Sequence, residues 1–259
     1  MHEILRNLAM GDLVLDLGCD EGSFPAASTR AVTVRLDRDV PRSRDAAFVQ
    51  GDAGRLPFAD ASFAAVISNH SLEHFEDLDG VLHEIRRVAR ADCVLFVAVP
   101  DASTLTDRIY RWLGKGGGHV NRFTRAEDVA AKIARATGLR HVATRDLWSS
   151  LSFLNRKCAP RPLPLRLWLL GGGFEAVLRG YVRVSRWVDR RFGTRTGAYG
   201  WAFYFGHAPE PVDTTAWVDT TAWVNVCIRC GSGIPAGGLP VGKEYRCPVC
   251  GTRNPVVSA

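Results

Sequence analysis

Residues Val14 to Phe24 read VLDLGCDEGSF. An apolar run reaches Asp16, and Gly18 and Gly22 follow with Asp20 between them. This order describes a buried strand delivering its C-terminal end into a tight turn, because glycine adopts left-handed backbone that other residues resist. In open α/β sheets such turns face nucleotide-like ligands. A dinucleotide fingerprint needs G-x-G-x-x-G. Counted from Gly18, glycine is then required where the chain has Asp20 and Ser23, so that reading fails at both places.

Working outward, short apolar runs alternate with helical patterns. LVLDLG, AVTVRLD ending at Asp37, AFVQGD ending at Asp52, FAAVISNH and CVLFVAVP read as five strands. Between the last two, DLDGVLHEIRRVAR puts Val81, Leu82, Ile85, Val88 and Ala89 on one helical face. TRAEDVAAKIARAT predicts another helix, with Thr124 and Glu127 at capping-box spacing and Gly138 just past its end. HVATRDLW and GWAFYFG, Gly200 to Gly206, read as the last strands. Such β-α alternation predicts a mostly parallel sheet with helices on both faces.

The pattern Asp16-x-Gly18-x-Asp20-x-Gly22 resembles the D/E-x-G-x-G-x-G turn of class I S-adenosylmethionine (SAM)-dependent methyltransferases, with one glycine replaced. GDAGRLPFADASFAAVISNHSLEHF, Gly51 to Phe75, is similar to that family's next motifs. GHVNRFTRAEDV resembles the segment after the fifth strand in the subgroup that includes quinone-biosynthesis methyltransferases. The resemblance covers roughly residues 10–150 plus the last strand. It implies a Rossmann-like α/β sheet with an antiparallel last strand, and SAM as methyl donor. Carried over residue by residue, it implies a cofactor site of Asp16, Gly18, Cys19, Asp20, Gly22, Asp37, Arg38, Asp52, Ala53 and Asn69. Asp37 is placed on the ribose hydroxyls, Asp52 and Ala53 flank the adenine, and SNHSLEH lines the methyl-transfer end. Aspartate tolerates left-handed backbone better than most residues, so the turn can form with Asp20 in it. Its charge could pair with the SAM ammonium, crowd the carboxylate and weaken binding, or do neither. ARADCV also departs from the family's Pro-Gly-Gly turn before the fifth strand, a structural position.

Methyl transfer from an activated sulfonium depends mainly on positioning, and a base helps only where the acceptor must lose a proton. His70, His74 and His119 are the candidate bases: two follow the fourth strand, and the third lies in the GKGGGHVNRF loop. Each could equally serve the loops structurally. Glu73 beside His74 suggests a metal, but adjacent positions do not by themselves make a site.

The C-terminal part differs in character. Residues 209–224 contain a tandem DTTAWV repeat, too short for a solenoid and readable as a linker. Then come Cys227 and Cys230, sixteen residues, and Cys247 and Cys250, each pair followed by glycine. Paired C-x2-C knuckles predict a zinc ribbon with four thiolates on one Zn2+, which would supply folding energy to a segment with little core. Cys19, Cys93 and Cys158 fit packing positions. The expected organisation is a methyltransferase domain over 1–208 with insertions at 101–123 and 155–198, a linker at 209–224 and a zinc ribbon at 225–259.

Only about a dozen residues precede the first strand, so a substrate cover is expected from the two insertions. Residues 155–198 carry ten basic and two acidic residues, a local net of +8 against +6 for the 259-residue chain. At 100° per residue Phe174, Val177, Leu178, Tyr181, Ser185, Val188 and Phe192 share one face, and Arg179, Arg183, Arg186 and Arg190 the other. A packed helix with a solvated arginine face is the simplest account. Peripheral contact with an anionic membrane is the next, and nucleic acid the weakest, for no RNA-binding module is recognisable. With no signal segment and no apolar stretch of spanning length, a cytoplasmic location, peripheral to a membrane at most, is the expectation. The expected activity is methyl transfer to a small-molecule or lipid- or sugar-linked acceptor, at oxygen, with carbon and nitrogen as the alternatives. The rivals are an RNA- or protein-modifying enzyme that uses the ribbon for recognition, and a catalytically inactive scaffold.

Overall fold

Val14, Leu15, Asp16 and Leu17 are all buried, because the strand they form has neighbours on both edges and helices over both faces. The computed structural model describes residues 1–41, 45–113, 118–148, 175–207, 223–226, 233–235, 244–248, 251 and 253–255. A seven-stranded sheet organises the first part of the chain. Its strands are β1 (Leu13–Leu17), β2 (Val32–Asp37), β3 (Ala47–Gln50), β4 (Phe63–Asn69), β5 (Ala89–Pro100), β6 (His141–Trp148) and β7 (Ala198–Gly206). Their spatial order is β3-β2-β1-β4-β5-β7-β6. The pairings through β5 are parallel, whereas β7 runs antiparallel to both β5 and β6. This is the expected Rossmann-like α/β sheet.

Among the described residues five α-helices accompany it: α1 (His2–Asn7), α2 (Leu78–Val88), α3 (Leu105–Leu113), α4 (Ala126–Thr137) and α5 (Glu175–Phe192). Helix α2 buries Leu78, Val81, Leu82, Ile85 and Val88 against one sheet face. It starts where the Asp77 carboxylate accepts the Gly80 N–H at 2.9 Å. Ala89, expected on that apolar face, instead ends the helix and opens β5. Helix α4 ends as the sequence predicts, at Gly138 with φ +74°. Its start differs: Arg125 occupies the N-cap and no side chain caps it, so the Thr124–Glu127 box is not formed.

Helix α5 buries part of the face its periodicity suggests, with Ser185 buried and Tyr181 and Val188 half-buried, but it is rotated toward Val182 and Asp189. Val182, Ser185 and Asp189 are buried, while Val177, Val184, Trp187 and Phe192 are exposed. Asp189 fixes this rotation. Its carboxylate accepts the N–H groups of Thr196 and Gly197 at 2.5 and 2.8 Å and the Thr194 hydroxyl at 2.8 Å, which ties the helix to the turn entering β7. Arg183 and Arg190 are exposed as expected. Phe174 and the side chains of Leu178, Arg179 and Arg186 lie outside the described residues, as do Cys158, the 209–222 segment, Cys227, Cys230 and Cys250. Beyond the sheet, β8 (Trp223–Val226) pairs antiparallel with β9 (Gly233–Pro235), and β10 (Glu244–Arg246) with β11 (Arg253–Pro255). None of the described helices is long and apolar enough to cross a membrane.

Candidate active site

Parallel pairing brings the C-terminal ends of β1, β2, β3 and β4 to one sheet edge. Gly18–Gly22, Asp37–Asp39, Asp52 and Asn69–His74 therefore converge there from distant parts of the chain.

The glycine turn is held from behind. Gly18 and Gly22 have φ of +65° and +103°. A Cβ at Gly18 would lie 2.5 Å from that of Ser71, and one at Gly22 would lie 2.5 Å from the Arg35 guanidinium. Close packing thus demands both glycines, beyond the backbone angle. Arg35 is itself buried, donating to the Phe24 carbonyl at 2.7 Å and pairing with Asp45 and with the fully buried Asp16. Asp16 accepts the Ser23 N–H at 2.8 Å. Asp20 sits at φ +48°, in the left-handed conformation its residue type tolerates.

The amides of the turn hold its own shape. Gly18 and Cys19 both donate to the Leu36 carbonyl, at 2.8 and 3.3 Å, and Gly22 donates to the Cys19 carbonyl at 2.7 Å. The Asp20 N–H donates to the Asp37 carboxylate at 2.8 Å, and Asp39 N–H to its other oxygen at 3.1 Å. Asp37 is therefore a fastener of the glycine turn as well as an acid at a strand end. The Cys19 side chain is wholly buried. Burial first, then Asp16 and Asp37, push its thiol up to about 12, so it is an inert packing group.

Asp52 is exposed. The Gly54 N–H at 2.9 Å is the main cause that holds its carboxyl below the usual range, and Arg38 at 3.3 Å adds to it. Ala53 is buried beside it. Asn69 at the end of β4 is 1% exposed, and neither polar atom of its amide has a hydrogen-bond partner among the described residues. A buried amide in that condition calls for a ligand or water. Left-handed glycines, an acid on the neighbouring strand end and this unsatisfied amide suit a polar nucleoside ligand such as SAM.

The three histidines are brought together only in part. His70, in left-handed backbone at φ +58°, places Nε2 3.1 Å from the Tyr199 hydroxyl and Nδ1 3.6 Å from Glu73. Strained backbone at a strand end is common where side chains are aimed for function. His74 and His119 meet with ring centroids 4.9 Å apart. They do so because the 120–121 backbone is strapped to the turn after β4. Val120 and Asn121 N–H both donate to the Glu73 carbonyl, at 2.8 and 3.0 Å, and the Asn121 amide donates to the Leu72 and Phe75 carbonyls. Tyr110 of α3 stacks on His119 at 5.3 Å, and Asp107 faces it at 3.6 Å. Burial is the main cause that lowers the His119 pKa, against the opposing charge of Glu73. Sequence reasoning missed Asp107, Tyr110, Asn121 and Tyr199, whose roles arise from contacts across the fold and leave no local motif.

Comparison with known proteins finds methyltransferases. Residues 15–97 match the family model described as a methyltransferase domain. A demethylmenaquinone methyltransferase from Mycobacterium sp. (strain KMS) is 39% identical over 112 residues, which are 40% of this chain and 48% of that protein. One from Roseiflexus sp. is 37% identical, over 29% of this chain and 37% of that protein. The chain thus spans half or less of the length of these relatives. A malonyl-[acyl-carrier protein] O-methyltransferase from Halorhodospira halophila is 28% identical, over 79% of this chain and 78% of its own. Among solved structures, a SAM-dependent methyltransferase from Archaeoglobus fulgidus superposes with a TM-score of 0.52 at 16% identity, covering 78% of this chain and 88% of its own. The match to a methyltransferase domain thus runs from β1 to β5, the strands whose C-terminal ends carry the candidate site.

Proposed function

We propose that the chain transfers a methyl group from SAM to an oxygen of a small-molecule or lipid- or sugar-linked acceptor. The observation that carries this reading is the unsatisfied Asn69 amide, buried at the strand end next to the turn that Asp37 fastens. Asp37 is assigned to the ribose, Asp52 and Ala53 to the adenine ring, and the His70–His74 segment to the acceptor side. The demethylmenaquinone and malonyl-[acyl-carrier protein] methyltransferases it resembles support a small-molecule or carrier-linked acceptor, whereas the probable tRNA methyltransferases 9B of Bos taurus and Homo sapiens, 28% and 27% identical, support the RNA alternative. Helix α5 supports a lipid-linked one. It exposes Val177, Val184, Trp187 and Phe192 beside Arg183, Arg190 and Arg191, a mixture suited to anionic headgroups.

In the same reading the C-terminal segment is a zinc ribbon held by Cys227, Cys230, Cys247 and Cys250. Each C-x2-C pair falls in the connection of a two-stranded antiparallel hairpin, β8–β9 or β10–β11. That placement is what two thiolate knuckles on one ion require. The Cys247 side chain is buried.

SAM titration by calorimetry tests the central claim. Binding to the wild type is expected, with about tenfold or greater loss in Asn69→Leu. A wild type that takes up no SAM leaves the scaffold reading in its place.

A further inference from the structure

We propose that Glu73, His74 and His119 form a divalent-cation site beside the methyl-transfer end. Each of the three offers a ligand atom, and these atoms all lie within 4.8 Å of one another. Two imidazoles and one carboxylate are a donor set for Zn2+, Fe2+ or Co2+, with positions left over for a further ligand.

The surroundings are those of a built site. Glu73 is 1% exposed, and its Oε2 has no hydrogen-bond partner among the described residues, a costly state for a buried carboxylate oxygen. His74 Nδ1 lies 3.0 Å from the Gly118 carbonyl, which can only accept. The ring therefore carries its proton on Nδ1 and keeps the Nε2 lone pair for an ion. His119 likewise turns Nδ1 toward Asp107, at 3.6 Å, with its side chain only 8% exposed. A carbonyl or carboxylate behind the far ring nitrogen is the usual support of a metal-binding histidine. The backbone bonds from Val120 and Asn121 to Glu73 fix the third ligand against the other two.

The role of the ion rests on the methyl-transfer reading above, whereas the site itself does not. An acceptor hydroxyl bound to the ion would ionise more readily, its proton leaving to solvent. The oxygen lone pair then forms the new O–C bond while the C–S bond of SAM breaks, its electron pair staying on sulfur. This assigns His74 and His119 to holding the ion rather than to taking the proton.

Co2+ titration of the full-length chain tests the site. Cobalt on nitrogen and oxygen shows only weak visible bands, whereas cobalt on the tail thiolates adds intense sulfur-to-metal absorption. One equivalent free of that absorption is expected. At a hundredfold excess over its dissociation constant it should raise Tm by about 5–10 °C. Glu73→Gln, which keeps the side-chain shape, and His119→Ala, which removes the ring that stacks on Tyr110, should each weaken this binding at least tenfold. Both should hold SAM affinity within about twofold, and Glu73→Gln should keep or raise the ion-free Tm, since it removes an unsatisfied buried charge. Absence of this equivalent, or equal binding in both variants, overturns the site. Co2+ uptake in a chain that fails to take up SAM supports the site and rejects only the methyl-transfer role.

Discussion

Replacing Asp37 with alanine separates the two tasks that the structure gives one carboxylate. In the free protein its two oxygens accept the N–H groups of Asp20 and Asp39. Both bonds are solvent-exposed, so water can replace the lost acceptor. Their removal should cost about 1–2 kcal/mol and lower Tm by about 2–8 °C in a domain of this size. The ligand adds a second cost. Two ribose hydroxyls deprived of their carboxylate acceptor lose about 1–3 kcal/mol, a Kd raised roughly 5- to 150-fold. Calorimetric titration with SAM and a thermal melt on the same sample read the two effects separately. Asp37→Asn keeps the shape and one acceptor, and should fall between wild type and alanine in both. A SAM affinity within twofold of wild type in Asp37→Ala would remove the acid from the ligand site. A fall in Tm alone would leave it only the fastening of the turn.

Asp20→Gly should leave SAM affinity equal or tighter, since the position already has φ +48° and glycine adopts it freely; a large loss would show that Asp20 holds the ligand. Gly18→Ala must push Ser71 and Phe75 away, whose atoms lie 2.5 and 3.2 Å from the added carbon, in left-handed backbone. It should cost about 2–5 kcal/mol in urea unfolding, and a variant as stable as wild type would contradict the packing described. The Glu84 carboxyl is held below the usual range chiefly by Arg87, and it also accepts the Leu56 N–H. A depressed carboxylate stabilises above its unfolded pKa of about 4.3 and loses that contribution as pH falls through the folded value. The stability gap between wild type and Glu84→Gln should therefore be constant above about pH 5 and close below it; a gap independent of pH refutes the ion pair's role.

Much of the sheet was legible in the sequence because apolar runs such as FAAVISN are buried on both faces, and their C-terminal ends carry polar residues at the candidate site. Gly18, Gly22 and Asp37 could be placed for the same reason: backbone angle and strand end are local properties. The Thr124–Glu127 box failed because capping spacing is only an option, and here the backbone enters α4 through Arg125. The face of α5 was read only in part: Ser185 is buried as expected, but periodicity cannot foresee that Asp189 is buried too, to hold the turn before β7. The glycines show a similar division. Their need for positive φ was readable, but the collisions that a side chain would make with Ser71 and Arg35 come from residues far along the chain. Glu73, His74 and His119 mark the boundary most sharply. Glu73 and His74 are neighbours in the sequence, but it takes the bonds from Val120 and Asn121 N–H to the Glu73 carbonyl to bring His119 beside them.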